Sequence, residues 1–182
     1  GGFFVQPYDD SPLDRESVGE TVYLDIINRA SKYVYIFTPY LILDDFVRTA
    51  LCNAAKRGVD VRIYTPGVPD KKTIYQLSRS YFPHLLKAGV KIYSYTPGFL
   101  HAKTWLIDDR AAAVGTVNLD YRSLFLHFEC GVLLQHNSQV AALRDDVRAT
   151  LPQCREIHIS DCRTSIPGTL LDSVLRLLSP LM

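Results

Sequence analysis

The feature that most constrains the fold is the alternation of short apolar strands and amphipathic helices between residues 33 and 95. Tyr33 to Phe37 (YVYIF) reads as a strand that Thr38-Pro39-Tyr40 ends, since proline cannot continue a hydrogen-bonded ladder. Asp44 is placed to cap a helix from about Asp45 to Arg57 that buries Phe46, Ala50, Leu51 and Ala54, and Gly58 stands where a left-handed C-terminal cap belongs. Val59 to Tyr64 returns as a strand. A strand, helix, strand unit with so short a return implies parallel neighbours joined by a right-handed crossover. The unit repeats: Lys71 to Ala88 is helical, with Pro83 expected to bend or interrupt it, Gly89 ends it, and Val90 to Tyr95 is the next strand.

Around this centre, residues 6 to 14 (QPYDDSPLD) read as a polar turn segment, and Val18, Val22, Ile26 and Ile27 recur at helical spacing. Strands are expected at Leu100 to Ile107, Ala111 to Val114 and His127 to Leu134, and a further helix at Gln139 to Thr150. The expected fold class is α/β: a single mixed, mostly parallel β-sheet with helices on both faces, residues 1–182 forming one unit. Residues 166–182 read as an amphipathic C-terminal helix carrying Leu170, Leu171, Val174, Leu175, Leu177 and Leu178, which either packs on the domain or docks on a membrane or partner. In such sheets the site lies at the carboxyl ends of the parallel strands, here near Tyr40 and the 66–70 loop.

Composition narrows the class. With 47% hydrophobic and 21% charged residues and no apolar run of about 18, the chain reads as globular rather than membrane-spanning. A net charge of +1 lacks the global field of a dedicated nucleic-acid binder, so a nucleic-acid partner is disfavoured. The four cysteines, at 52, 130, 154 and 162, show no paired spacing; Cys52 and Cys130 lie in apolar runs that suit buried free thiols, and a disulfide framework is not expected.

The chemistry concentrates between Leu100 and Asn118, LHAKTWLIDDRAAAVGTVN, where an imidazole, an ammonium, a carboxylate and a Gly-Thr-x-Asn turn fall within nineteen positions. On a strand, His101 and Lys103 share a face about 7 Å apart, close enough to grip one phosphate-sized group. Asp108 has the opposite parity and is expected to anchor the strand end. An ammonium and the Asn118 amide aimed at one point suit an oxyanion or phosphate oxygens. His84, His136 and His158 read as structural.

His101, Lys103, Asp108, Gly115, Thr116 and Asn118 match the His-x-Lys-x4-Asp and Gly-Ser/Thr-x-Asn signature that the sequence shares with the phospholipase D superfamily, which it therefore resembles. TPYLI, GVDVRIYTPG, SRSYF, AGVKIYSYTPGFLHAK, VGTVNLDYRSL and LLSPLM extend the likeness over nearly the whole chain, to the C-terminal catalytic half of bacterial cardiolipin synthases. The resemblance implies a phosphatidyltransferase that moves a phosphatidyl group between phosphatidylglycerol molecules through a phosphohistidine, with no metal or other cofactor, at the bacterial cytoplasmic membrane. The catalytic part would be peripheral to that surface. Such chemistry needs two imidazoles on opposite sides of phosphorus. This chain has one motif, so the expected partner is a second motif-bearing half, as an N-terminal domain of a longer enzyme or as a second copy.

The implied roles are His101 as general acid or nucleophile, with the acid favoured, and Lys103 and Asn118 as ligands of the non-bridging oxygens. Thr116 either adds a hydroxyl contact or shapes the turn. Glu129 is expected to accept a hydrogen bond from His101, fixing its tautomer. His127 stands where the family usually has asparagine, on the same face as Glu129 by strand parity. Tyr40 and Arg79 are weaker candidates for substrate contacts. Two other functions fit the residues: a homodimeric phospholipase D-type phosphodiesterase or endonuclease, and an inactive half that binds lipid or a partner.

Overall fold

A computed structural model describes residues 3–13, 16–162 and 166–177. In chain order the elements are β1 (Phe4–Asp10), α1 (Val18–Arg29), β2 (Tyr33–Phe37), α2 (Asp45–Lys56), β3 (Asp60–Pro66), α3 (Lys72–Lys87), β4 (Lys91–Tyr95), β5 (Thr104–Ile107), β6 (Ala111–Gly115), α4 (Tyr121–Phe125), β7 (Glu129–Gln135), α5 (Ser138–Thr150), β8 (Cys154–Ile157) and α6 (Ile166–Leu177). The strands form one sheet in the order β1-β7-β6-β5-β2-β3-β4-β8.

The α/β class with helices on both faces holds, but the sheet is mostly antiparallel. Among the described residues only β2–β3 and β3–β4 run parallel. All five other pairings are antiparallel. A parallel neighbour needs a crossover helix, and only α2 and α3 serve as one; β5, β6 and β7 follow each other across the sheet as antiparallel neighbours.

Helix α2 has local start and stop signals. Asp44 caps α2 by accepting from the Val47 amide at 2.8 Å, and Gly58 ends the segment at φ 92°. Phe46, in the first turn, is exposed, and the buried stripe begins at Val47. Pro83, expected to bend or interrupt α3, lies within it and does not interrupt it. Residues 6–10, expected as a turn, are an edge strand: β1 pairs with β7, and Pro7 is tolerated because an edge strand leaves half its donors unpaired.

One sheet face, with Val34, Ile36, Val61 and Ile63, packs under α1, α2 and α3; the other, with Phe37, Tyr64, Leu106 and Ala112, packs against Val140 and Val147 of α5. The two sets alternate along β2 and β3 as the pleat requires. In α6 Leu175 enters the first core, and Asp172 accepts from Gln76 of α3 at 3.1 Å. Leu178 and the closing Ser-Pro-Leu-Met lie outside the described residues, as does Asp14. All four cysteines are free; Cys52 is buried, whereas Cys130 is exposed because alternation along β7 turns Glu129 inward and Cys130 out.

Candidate active site

Pairing decides where the motif sits. Pro39 stops β2 after Phe37, and Thr104 of β5 pairs with Phe37, so residues 101 to 103 have no partner on β2 and run as irregular chain past the sheet end. The strand expected from Leu100 therefore starts at Thr104. His101 and Lys103 still meet, through the loop rather than through a pleat: the Lys103 Nζ lies 3.0 Å from His101 Nε2 and donates to the His101 carbonyl at 2.9 Å. The Lys103 ammonium only donates, and the part Nε2 plays in the contact is set by the imidazole tautomer. Burial pulls the Lys103 ammonium below its ordinary value, against the opposing charges of Glu129 and Asp120.

Opposite them, β6 ends in the Gly115 to Asn118 turn, and the Gly115 amide donates to the Lys103 carbonyl at 3.2 Å. Gly115 faces Gly131 across the ladder, and a Cβ on Gly115 would overlap the Cys130 carbonyl oxygen and the Gly131 Cα. That close approach is why the turn needs glycine. The Thr116 amide donates to the Cys130 carbonyl at 2.9 Å and its hydroxyl accepts from the Cys130 amide at 3.0 Å. Beneath, the Tyr23 hydroxyl donates to the Val117 carbonyl at 2.7 Å while its ring stacks on Trp105 with centroids 4.1 Å apart. The turn and the loop together wall a depression lined by His101, Lys103, Gly115, Thr116 and Asn118.

The carboxylate chemistry differs from the expectation. Glu129 does not accept from His101: its oxygens take the Thr116 hydroxyl and, at 2.9 Å, the Ser123 hydroxyl. Ser123 in turn accepts from Asn118 Nδ2 at 2.9 Å, so Asn118, Ser123 and Glu129 form one relay. Glu129 leaves 9% of its side chain exposed, which excludes a solvated surface charge. His127 precedes β7 rather than belonging to it, and its Nδ1 lies 3.8 Å from Glu129 Oε1. Ser123 and Asp120 escaped sequence reading. Asp120 caps α4 by accepting from the Ser123 amide at 2.8 Å, and the Asp-x-x-Ser spacing was the available signal. Burial raises the Asp120 carboxyl, with the Ser123 amide, Asn118 and His127 opposing.

Asp108 is at the far end of β5. Its carboxylate, 2% exposed, accepts from the amides of Ser31, Lys32 and Tyr33 at 2.8, 2.8 and 2.9 Å and from the Ser31 hydroxyl at 2.8 Å. Arg110 adds a contact at 3.2 Å. Burial alone would raise this carboxyl, but the three amides and the hydroxyl hold it below its usual value. Tyr40 does reach the site rim: it neighbours Phe99, which leans against His101 with centroids 5.5 Å apart, and its hydroxyl donates to Asp70. Arg79 does not. It lies over Tyr75 and Phe82 and donates to the Asp161 carbonyl at 3.0 Å, in a separate cavity between α3 and α6.

The site shares its sequence and fold with known proteins. Residues 23–150 match the family model described as cardiolipin synthase, PLD-like domain. The chain is 43% identical over 98% of its length to cardiolipin synthase 2 of Bacillus anthracis and 40% identical over 98% to the cardiolipin synthase of Halalkalibacterium halodurans. An uncharacterized protein of Streptococcus mutans is 52% identical over 98%. The chain spans 39%, 35% and 36% of the Streptococcus, Bacillus and Halalkalibacterium proteins respectively. Its fold matches phosphatidylserine synthase of Haemophilus influenzae with a TM-score of 0.80 at 16% identity, covering 99% of this chain and 48% of that one. It matches Nuc of Salmonella typhimurium, a phospholipase D family member, with a TM-score of 0.71 at 17% identity, covering 86% of this chain and 99% of that one. The chain belongs to the cardiolipin synthase PLD-like domain family.

Proposed function

We propose that this chain supplies one half of the active site of a phosphatidyltransferase that joins two phosphatidylglycerol molecules at the bacterial cytoplasmic membrane. The observation that carries this is the His101 Nε2–Lys103 Nζ contact of 3.0 Å, standing over the Asn118–Ser123–Glu129 relay in an open depression. The relatives named cardiolipin synthase support the lipid substrate.

In the first half-reaction an imidazole nitrogen from the second half forms an N–P bond as the P–O bond to glycerol breaks. His101, as general acid, gives its proton to the departing oxygen. In the second, the incoming hydroxyl gives its proton back to His101 while its oxygen bonds phosphorus and the N–P bond breaks. Lys103 and Asn118 hold the non-bridging oxygens. Asn118 can do so while keeping Ser123, since its amide has two N–H donors. Glu129, with Thr116 and Ser123 on its oxygens, holds the turn and balances the charge of Lys103.

The test is the full-length parent protein on phosphatidylglycerol vesicles. Cardiolipin and glycerol are the expected products, and an acid-labile phosphorus on histidine is expected on quenching. A complete protein that forms neither cardiolipin nor phosphatidic acid overturns the proposal. The isolated chain as a monomer should be nearly inactive. A second reading, a phosphodiesterase completed by two copies of this chain, is favoured by the 99% coverage of Nuc, which shows the same fold as an entire chain. Activity of the isolated chain that falls on dilution supports that reading; constant specific activity on dilution contradicts both.

A further inference from the structure

Asn118 walls two spaces. One is the depression of His101 and Lys103; the other is a pocket of about 270 Å³ whose polar lining is Tyr40, Lys71, Asn118, Asp120, Arg122 and His127. We infer that this second pocket binds the alcohol partner of the transfer, a small polyol of the glycerol class. The inference rests on the transferase function proposed above.

Five observations point there. The pocket borders the phosphate-seeking depression across one side chain, Asn118, so a group on a phosphorus held by Lys103 and Asn118 lies one side chain away from it. It mixes signs: Lys71, Arg122 and His127 offer donors, while buried Asp120, with one oxygen on the Ser123 amide at 2.8 Å, and the Tyr40 oxygen offer acceptors. Asp120 and, behind Tyr40, Asp70 disfavour a second phosphate, whereas a neutral polyol uses donors and acceptors alike. The volume lies below the roughly 300 to 1,000 Å³ of sites for drug-sized ligands, which suits a three-carbon headgroup and excludes a diacyl chain. Ile42 and Ile74 supply the apolar wall against which the carbons of a polyol pack. Finally, Asn118 Oδ1 is buried without a hydrogen-bond partner among the described residues, and a hydroxyl arriving beside it would satisfy it.

Leaving and entering alcohols use the same position, because the second half-reaction reverses the first. The entering hydroxyl loses its proton to the general acid–base imidazole, its oxygen bonds phosphorus, and the N–P bond breaks. One pocket therefore serves the glycerol that departs and the hydroxyl that replaces it. It is also what favours a lipid hydroxyl over water.

The test uses the full-length parent protein on phosphatidylglycerol vesicles with three competing acceptors: isotopically labelled glycerol, ethanol and water. The products are labelled phosphatidylglycerol, phosphatidylethanol and phosphatidic acid. Arg122 and His127 are exposed, so Arg122→Ala and His127→Ala leave the core intact; Lys71→Ala, at another exposed position, is the independent third variant. Loss of a hydrogen bond from a charged donor predicts a glycerol-to-water product ratio lowered about tenfold. The ethanol-to-water ratio should move less, since ethanol has one hydroxyl. A fall in the glycerol ratio of less than about threefold in all three variants, or an equal fall for ethanol, overturns the subsite while leaving the transferase standing. A wild-type protein that transfers to none of the three acceptors overturns both.

Discussion

The two ends of β5 carry residues of one sequence signature and behave oppositely. At one end Asp108 is sealed, its carboxylate covered by four donors from residues 31 to 33 and by Arg110. At the other, His101 is exposed and Lys103 is held partly out of water beside the His101 imidazole. The sealed end ties β5 to residues 31 to 33; the open end leaves an ammonium partly desolvated beside the depression where the proposed chemistry is placed. A signature thus mixes residues of two kinds, and only their surroundings tell them apart.

The largest effect expected from breaking this contrast is His101→Ala. In the complete enzyme it should lower phosphatidyl transfer on the order of 10³-fold or more. Because His101 is exposed, its melting temperature should stay within about 2 °C of wild type. Lys103→Met should follow, with a loss of about 10² to 10³ in kcat. Here the sign of the stability change is the sharper readout. Burial lowers the Lys103 ammonium in the folded state, so its charge costs stability at neutral pH, and that cost is relieved as pH rises toward its ordinary value of 10.5. The methionine variant should therefore melt no lower than wild type at pH 7, even though it loses the Lys103 contacts to His101.

Asp108→Asn should do the reverse. Asparagine keeps an acceptor oxygen and tolerates the left-handed backbone of Asp108, at φ 50°, but loses the charge that draws four donors. A stability loss of about 2–3 kcal/mol follows, or roughly 4–12 °C, with transfer retained within about tenfold. A folded Asp108→Asn protein as inactive as His101→Ala would end the division between the two ends. The smallest expected effect is the pH dependence of that loss. The folded-state carboxyl lies below its unfolded value of 3.8, so its stabilisation is in force above that value and fades as pH falls through the folded one. Thermal melts from about pH 5 down to about pH 2.5 should show the gap between wild type and Asp108→Asn closing.

Much of this was legible in the chain. From Tyr33 to Tyr95 each element carries its own punctuation, in Pro39, Asp44, Gly58 and Gly89, and local signals suffice where pattern and cap agree. The edges were not. Gln6 to Asp10 has the composition of a turn and becomes a strand only because β7 offers it a partner. The parallel character was overestimated because β5, β6 and β7 announce themselves as strands without announcing their direction. Residue types singled out His101, Lys103 and Asn118, which the structure brings to one depression. The partner of Glu129 was not legible, because the helical turn of α4 that delivers Ser123 places it between Asn118 and Glu129, a relation that no spacing along the chain encodes.

The stack of Tyr23 on Trp105 has a practical consequence. Trp105 is the only tryptophan in the chain; it is buried, and it stands two residues beyond Lys103 on the strand that floors the site. Its stacking partner also donates to the Val117 carbonyl, next to Asn118. The molecule therefore carries a single tryptophan linked to both walls of the depression, and its emission, excited apart from the tyrosines, is a substrate-free readout to compare across variants of the site.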